Sequence, residues 1–572
     1  MTTALESASL VMIPSGYEEG MLGSLQPLDG TGDFTFTRGS NLSATRVNEQ
    51  GLIEKGYENL LLQSNNFNTS PWTTAGTLTP NQTGYDGSTN AWLYEKSAAF
   101  QQVGQLISQS GVLTFSVYLK AGSYEWVRLR ISNLENAYYH LTEDGSLGSV
   151  AGGGVISAKI DSVGNEWYRC SISVNSAISD VKIYPALGNN DMGTIGTIYI
   201  QDAQINQGLV AYPYLETTTT SAKGGILENT PRIDYTGGGA GSLLLEPSRA
   251  NSVVNSEYNF ILSNTIIEYN NAISPEGYQN AFKSTATSNS SFTRPANINL
   301  TAASNVSVFL KHGNNSWFNI IYAGDVNAYF NFNILTGEFG TNVGSSTSNL
   351  KAEDYGNGWW RVSAMFDYIG NGSFRVYMAS SGTTGFGQAG APIGSYFYGY
   401  GYQVEQNAAY PTSYIPTYGT SQTRAGENSA IELSVLDFFS LGTSESGTFF
   451  IETKYVNAES NNRVTTFSQG GSGNNLWTND NFQIRNTEGS DYFLVQNIND
   501  VIDNYIKIII RKNGTTYNVF VNGTKSSTTA TITNPLRWFE YIALWENKQM
   551  LKQMIEFPTA LTDSECIALT TI

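Results

Sequence analysis

Ile506-Lys507-Ile508-Ile509-Ile510-Arg511-Lys512-Asn513-Gly514, followed by Tyr517-Asn518-Val519-Phe520-Val521-Asn522-Gly523-Thr524-Lys525, holds two runs of alternating strand character. Each ends in Asn-Gly, the dipeptide that tolerates the positive φ angles of a type I′ hairpin turn. Further on, the strand-like run Tyr541-Ile542-Ala543-Leu544-Trp545 precedes Phe557-Pro558-Thr559-Ala560-Leu561-Thr562-Asp563-Ser564-Glu565-Cys566-Ile567-Ala568-Leu569. Thr562 is placed as an N-cap, and Glu565 three residues later completes a capping box, so a short helix is predicted after the hairpins.

The rest of the chain contains one domain written twice. Leu113-Thr114-Phe115-Ser116-Val117-Tyr118-Leu119-Lys120 with Trp126 reappears as Asn305-Val306-Ser307-Val308-Phe309-Leu310-Lys311 with Trp317. Glu166-Trp167-Tyr168-Arg169-Cys170 matches Gly358-Trp359-Trp360-Arg361-Val362, and Asn136-Ala137-Tyr138 matches Asn327-Ala328-Tyr329. Gln204-Ile205-Asn206-Gln207 with Tyr212-Pro213 returns as Gln403-Val404-Glu405-Gln406 with Tyr410-Pro411. A repeat this long is a duplicated domain and not a solenoid unit of about 20 to 50 residues.

At roughly 100 to 200 residues per domain, 572 residues make three or four units, each able to bury its own core. Short alternating runs rich in Val, Ile, Tyr, Phe and Thr, broken by Gly, Asn, Asp and Ser, predict an all-β chain of tandem antiparallel β-sandwiches (jelly-rolls). Helical periodicity is confined to the C-terminal turn and a weaker stretch from Ile431 to Leu441. The expected divisions are an N-terminal attachment segment at 1–57, sandwiches at 58–222 and 251–426 joined by a connecting segment at 223–250, and a last domain at 427–572. Residues 1–57 carry too few apolar side chains to close a core, so they are expected to pack on a partner subunit or on the following domains.

Thirty basic and 48 acidic residues give a formal charge of −18, with no Lys/Arg cluster of the kind that neutralises phosphates, so nucleic acid is not an expected partner. Met1 to Glu6 has no basic leader, and Ala8 to Ile13 is too short for a signal core or a membrane span. The two cysteines, Cys170 and Cys566, fall in different domains, which suits folding without disulfides in a reducing cytosol.

Catalytic patterns are sparse. His140 and His312 take different places in the repeat (His140 aligns with Asn331), and no G-x-S-x-G elbow surrounds a serine. Zinc sites of the Cys/His kind are excluded by count. No cofactor is expected, although Asp and Asn in β loops leave a structural calcium open. Glycoside hydrolysis needs only two carboxylates at a set spacing, so a carboxylate pair also stays open.

Flat rings stack on sugar faces while Asn, Gln and Asp bond the hydroxyls, and this makes the aromatics the best clue to binding. Trp126, Trp317, Trp167 and Trp359 recur at matched places and are read as buried core anchors. Tyr138 and Tyr329, after Asn-Ala turns, and Trp477, in the Gly-Asn-rich loop from Gly470 to Asp480, are the candidate glycan contacts.

The closing hairpins and the Ala560-Leu561-Thr562-Asp563-x-Glu565 helix resemble those of concanavalin A-like (laminin-G-like) lectin sandwiches. Pro14-Ser15-Gly16-Tyr17, Thr35-Phe36-Thr37-Arg38-Gly39-Ser40 and Gly51-Leu52-Ile53-Glu54 resemble the N-terminal string of tailed-bacteriophage structural proteins. So do Pro231-Arg232-Ile233-Asp234-Tyr235, Leu243-Leu244-Leu245-Glu246-Pro247-Ser248-Arg249-Ala250-Asn251 and Tyr410-Pro411-Thr412-Ser413-Tyr414-Ile415-Pro416-Thr417. The resemblance implies a fibre or tail protein with carbohydrate-binding-module-like sandwiches and a terminal lectin-like domain, and the family fixes no catalytic residues. Here an extra sandwich separates Gly51-Leu52-Ile53-Glu54 from the Gly-rich segment that begins at Gly237.

The expected function is that of a non-enzymatic virion appendage protein, made in the host cytoplasm, that contacts host surface glycans and other virion proteins. It is expected as a homo-oligomer, a trimer among the possibilities, without membrane insertion. A capsid or neck decoration protein is the alternative, and a polysaccharide hydrolase the third.

Overall fold

The computed structural model describes residues 6–571 except 40–41, 144, 433–445, 456–461, 467–474, 479–480, 486–491, 498–503, 515, 528–529, 532–540 and 545–548. Strands dominate and pair antiparallel, the all-β sandwich class predicted above. Ile431 and Glu432 belong to the strand Asn428–Glu432, and the rest of the weak helical stretch lies outside the described residues.

The first sandwich packs two six-stranded sheets. One is centred on Val112–Ala121 between Trp167–Asn175 and Gly196–Gln207, the other on Trp126–Ile131 between Glu135–His140 and Ile178–Ala186. Alternation sets the core: Leu113, Phe115, Val117 and Leu119 point inward onto Val127, Leu129 and Ile131. The second sandwich repeats the plan with Ser304–His312 and Trp317–Tyr322 as central strands, and Val306, Val308 and Leu310 facing Phe318 and Ile320.

The copies share their buried polar parts as well as their strands. Asn59 donates to the carbonyls of Ala203 and Leu215 and accepts from the amides of Leu61 and Ile205. Asn251 makes the same four bonds, to Tyr402, Ile415, Val253 and Val404. Ser64 and Ser256 each meet a tyrosine hydroxyl, that of Tyr214 or Tyr414, at 2.6 Å. Each asparagine ties the entering strand to the last strand of its sandwich. Asn251→Ala leaves four buried backbone groups unpaired and is expected to cost the second sandwich about 3 kcal/mol. Urea unfolding of the full chain measures it, and a loss below about 1 kcal/mol would show the clamp to be dispensable.

Among the described residues the third sandwich has two nine-stranded sheets, and it is not confined to 427–572. Leu10–Met12 pairs with Gln549–Phe557, and Phe34–Thr37 pairs with Asn428–Glu432. Ser242–Leu245 of the connecting segment also joins Gln549–Phe557, and Arg232–Asp234 lies beside it. Strands of 1–57 up to Phe34–Thr37 and the strands Arg232–Asp234 and Ser242–Leu245 of 223–250 therefore complete the C-terminal sandwich, and the two duplicated sandwiches are inserted between its strands. The sparse apolar residues of the N-terminal segment suffice because each strand brings half a core to a sheet already formed: Ala8 and Val11 pack with Phe450, Ile509 and Phe557.

Asn522 and Gly523 both take positive φ, 45° and 79°, in the tight turn between Val521 and Thr524. The terminal helix Asp563–Thr570 opens on the predicted capping box, Thr562 accepting from the Glu565 amide and the Glu565 carboxylate accepting from the Thr562 amide. Its Cys566 is buried with Leu561 on the sheet below. Among the described residues no helix is long and apolar enough to cross a membrane.

Candidate functional site

The four repeated tryptophans divide by face. Trp167 and Trp359 lie opposite Lys120 and Lys311, equivalent places, and each is 1% exposed. They sit on the outer faces of their sheets, Trp167 beneath Tyr85 and Tyr214, Trp359 beneath Ile53. Trp126 and Trp317, opposite Ala186 and Ala379, are only half-buried and lie outside the two main cores. Trp126 stacks on His140 at 4.7 Å. The core-anchor reading thus fails for this pair, because alternation points them to the outward face.

Tyr138 is 5% exposed and not a loop-tip residue. It faces outward opposite Arg128, whose guanidinium lies 5.7 Å from its ring, and the segment carrying Met192 covers it. Tyr329 is half-buried, donates to Asn342 Oδ1 at 2.8 Å and meets the Phe386 ring edge-on. The two are not equivalent. Tyr138 pairs with Arg128 and Tyr329 with Ile321, two residues apart in register, so that His140 answers to Asn333 and not Asn331. The longer turn between Tyr322 and Tyr329 causes the shift. Trp477 lies in the strand Asn475–Thr478, opposite Gln483, and not in a loop; its side chain is outside the described residues.

Sequence reasoning missed two buried charge hubs. In the first, Arg232 forks onto Glu427, with Nε to Oε1 at 2.6 Å, and reaches Glu246 at 2.9 Å. Arg38 meets Glu427 at 3.2 Å and Arg424 meets Glu246 at 3.0 Å, all five side chains fully buried. Ser413 donates to Glu246 from its amide and its hydroxyl. Burial and the neighbouring guanidiniums pull Arg38 down to about 10, whereas the two carboxylates outweigh burial and raise Arg232. The signal lay in the recurring phrases Thr37-Arg38-Gly39 and Thr423-Arg424-Ala425-Gly426-Glu427.

The second hub joins three units. Lys55, 4% exposed at its side chain, contacts Glu276 at 2.5 Å and Glu257 at 3.3 Å. Tyr414 and Tyr418 each donate to Glu257 at 3.0 Å, and Tyr400 contacts both carboxylates. Tyr212 of the first sandwich donates to Glu276 at 3.3 Å. Burial raises Glu257, and the paired carboxylates raise Lys55 in spite of its burial. In the first sandwich Asp86 holds the place of Glu276, in an eight-residue loop with the same turn hydrogen bonds. There Asp202, at φ 51°, stands where the second sandwich has Gly401, and accepts from Tyr85 at 3.0 Å. Its burial pushes it up to about 6.

Each duplicated sandwich docks the same face on the next unit of the chain. Lys159 lies opposite Ser171 and Asp161 opposite Arg169; Lys351 and Glu353 stand likewise against Ser363 and Arg361. In the second sandwich this face closes on Asp234, Lys454 and Met550 and leaves about 60 Å³. In the first it meets Tyr269, Asn270, Tyr278 and Gln279 and leaves about 420 Å³. Among the described residues no group of three or more His, Cys, Asp or Glu is placed to hold a metal ion. No family model matches the chain, and no curated protein matches it.

Proposed function

We propose that the chain is a non-enzymatic virion appendage protein of a tailed bacteriophage, a fibre or tail component that binds host surface glycans through its duplicated sandwiches. The observation that carries this reading is the role of the family-like phrases. Arg38, Arg232, Glu246 and Ser413, each within one of them, meet in a single buried hub, so the resemblance extends from strings of letters to the joint that locks the sandwiches together. A locked array suits a protein that bears load between particle and cell. The carboxylate pair Glu257 and Glu276 supports the non-enzymatic reading, because both carboxylates are ion-paired with the buried Lys55.

Weak sites on many copies then bind by avidity, which gains about 100- to 10,000-fold without new contacts. The test compares the isolated chain with the same chain displayed on beads, using host cells stripped or not stripped of surface polysaccharide. The displayed protein is expected to bind only unstripped cells. If displayed protein binds neither and labelled particles carry the chain on the capsid shell, the decoration role replaces this one; shortening of the polysaccharide on incubation would establish a hydrolase.

A further inference from the structure

The cleft between the first two sandwiches is the underfilled counterpart of a joint that is closed one unit later. Both are built on the same Lys-x-Asp/Glu strand beside the same arginine, yet one leaves about 60 Å³ and the other about 420 Å³. The larger space is held open by contacts at its margins. Asn270 donates across it to Ser157 Oγ at 2.8 Å and to the Leu209 carbonyl at 3.0 Å, and Tyr278 meets Tyr212 edge-on at 5.3 Å. Such pins prevent the gap from collapsing, so its volume is a property of the folded chain. It falls within the roughly 300 to 1,000 Å³ typical of ligand sites.

The walls state the chemistry. Ser157 and Ser171 offer hydroxyls, Gln279 an exposed amide, and Asn270 a buried Oδ1 with no partner among the described residues. Lys159 and Asp161 neutralise each other at 2.9 Å, and Arg169 already donates to Ser116 Oγ and the Tyr212 carbonyl. That guanidinium is the one charge of the wall with no carboxylate partner among the described residues, and its Nη2 is held on those two neutral oxygens. Leu209, Val210 and Ala211, with the Tyr278 ring, supply the apolar surface against which sugar C–H groups pack.

We propose that this cleft binds an uncharged oligosaccharide of about two sugar units, a proposal that rests on the glycan-binding reading above and locates its site. The acceptor left open on Asn270 takes a sugar hydroxyl, and the serines and Gln279 bond its neighbours. Binding per site is weak, with a dissociation constant on the order of 0.1 to 1 mM, because both partners lose freedom in a shallow site.

The experiment is ligand-observed NMR and calorimetry on the full chain with uncharged di- and trisaccharides of glucose, galactose and N-acetylglucosamine. Gln279→Trp, at an exposed position, fills the mouth of the cleft, and Gln279→Ala removes one bond without filling it. At least one sugar is expected to bind, at least tenfold more weakly to Gln279→Trp, with thermal unfolding unchanged. A sugar that binds wild type and Gln279→Trp equally overturns the cleft and leaves glycan binding standing. The cleft is overturned in the same way if no sugar of the panel binds while displayed protein still takes unstripped cells. If displayed protein also fails on cells, the glycan-binding reading falls with it.

Discussion

Replacing Arg232 with methionine is expected to cost about 3 to 5 kcal/mol, because it leaves two buried carboxylates without their shared cation. Arg232 is fully buried and spends its whole guanidinium: Nε and Nη2 on Glu427, Nη2 also on Glu246, Nη1 on the Thr45 carbonyl and Ser413 Oγ. Arg38→Met should cost less, since Arg38 is held against the push of the two other guanidiniums and sits well below its ordinary range. The double replacement Arg232→Met/Glu427→Met removes both charges of the fork and should recover part of the loss, as paired buried ions often exchange for apolar groups at little cost. Urea unfolding of wild type, Arg232→Met, Glu427→Met and the double variant measures the cycle, with Arg38→Met compared beside it. Equal stability of wild type and Arg232→Met would mean that solvent reaches the hub and that it does not lock the sandwiches.

Stability should fall as pH rises between about 4.5 and 8, and Glu556→Gln should abolish most of that slope. Glu556 is fully buried in the strand Gln549–Phe557, opposite Leu10 and Phe449. Ser9 donates to one carboxylate oxygen, and the other has no partner among the described residues. Burial pushes the group from 4.5 up to about 8, with the Ser9 hydroxyl pulling weakly the other way. The folded state therefore holds a proton that the unfolded state has released across that window, so the unfolded state gains as pH rises. Below about 4.5 the burden is absent, and above about 8 it is complete, at about 3 to 5 kcal/mol from the shift and the energy per pKa unit. The N-terminal strand Leu10–Met12 pairs at this point, so its amides should exchange faster at pH 9 than at pH 6 after correction for intrinsic rates. A flat stability profile, or one with the same slope in Glu556→Gln, would show the carboxylate to be solvated.

The aromatic residues show where reading ahead of the structure stops. Alternation places Tyr138 and Tyr139 on opposite faces, and the structure keeps that division: Tyr139 is in the core and Tyr138 outside it. What the pattern does not carry is that the segment bearing Met192 folds back over Tyr138, or that a longer hairpin turn moves Tyr329 out of register with it. Trp167 and Trp359 likewise face outward, and each is buried by a different cover, its own sandwich's Tyr85 and Tyr214 in one case and Ile53 of the N-terminal segment in the other.

The all-β class, the duplication, the Asn522-Gly523 turn and the capped terminal helix were legible in the chain because each rests on neighbours within a few residues. Side-chain alternation, positive-φ preference and a Thr-x-x-Glu box are local physics, and tertiary packing had no reason to override them. The membership of the third sandwich was decided by the tertiary structure alone. Leu10 finds Glu556 and Phe36 finds Ser429 across nearly the whole sequence, and a strand's edge hydrogen bonds carry no mark of which distant strand will meet them. The hubs obey the same rule. Arginine and glutamate read as surface residues until Arg38, Arg232 and Arg424 converge on Glu246 and Glu427, because a charge can be buried only where the fold brings its counter-charge.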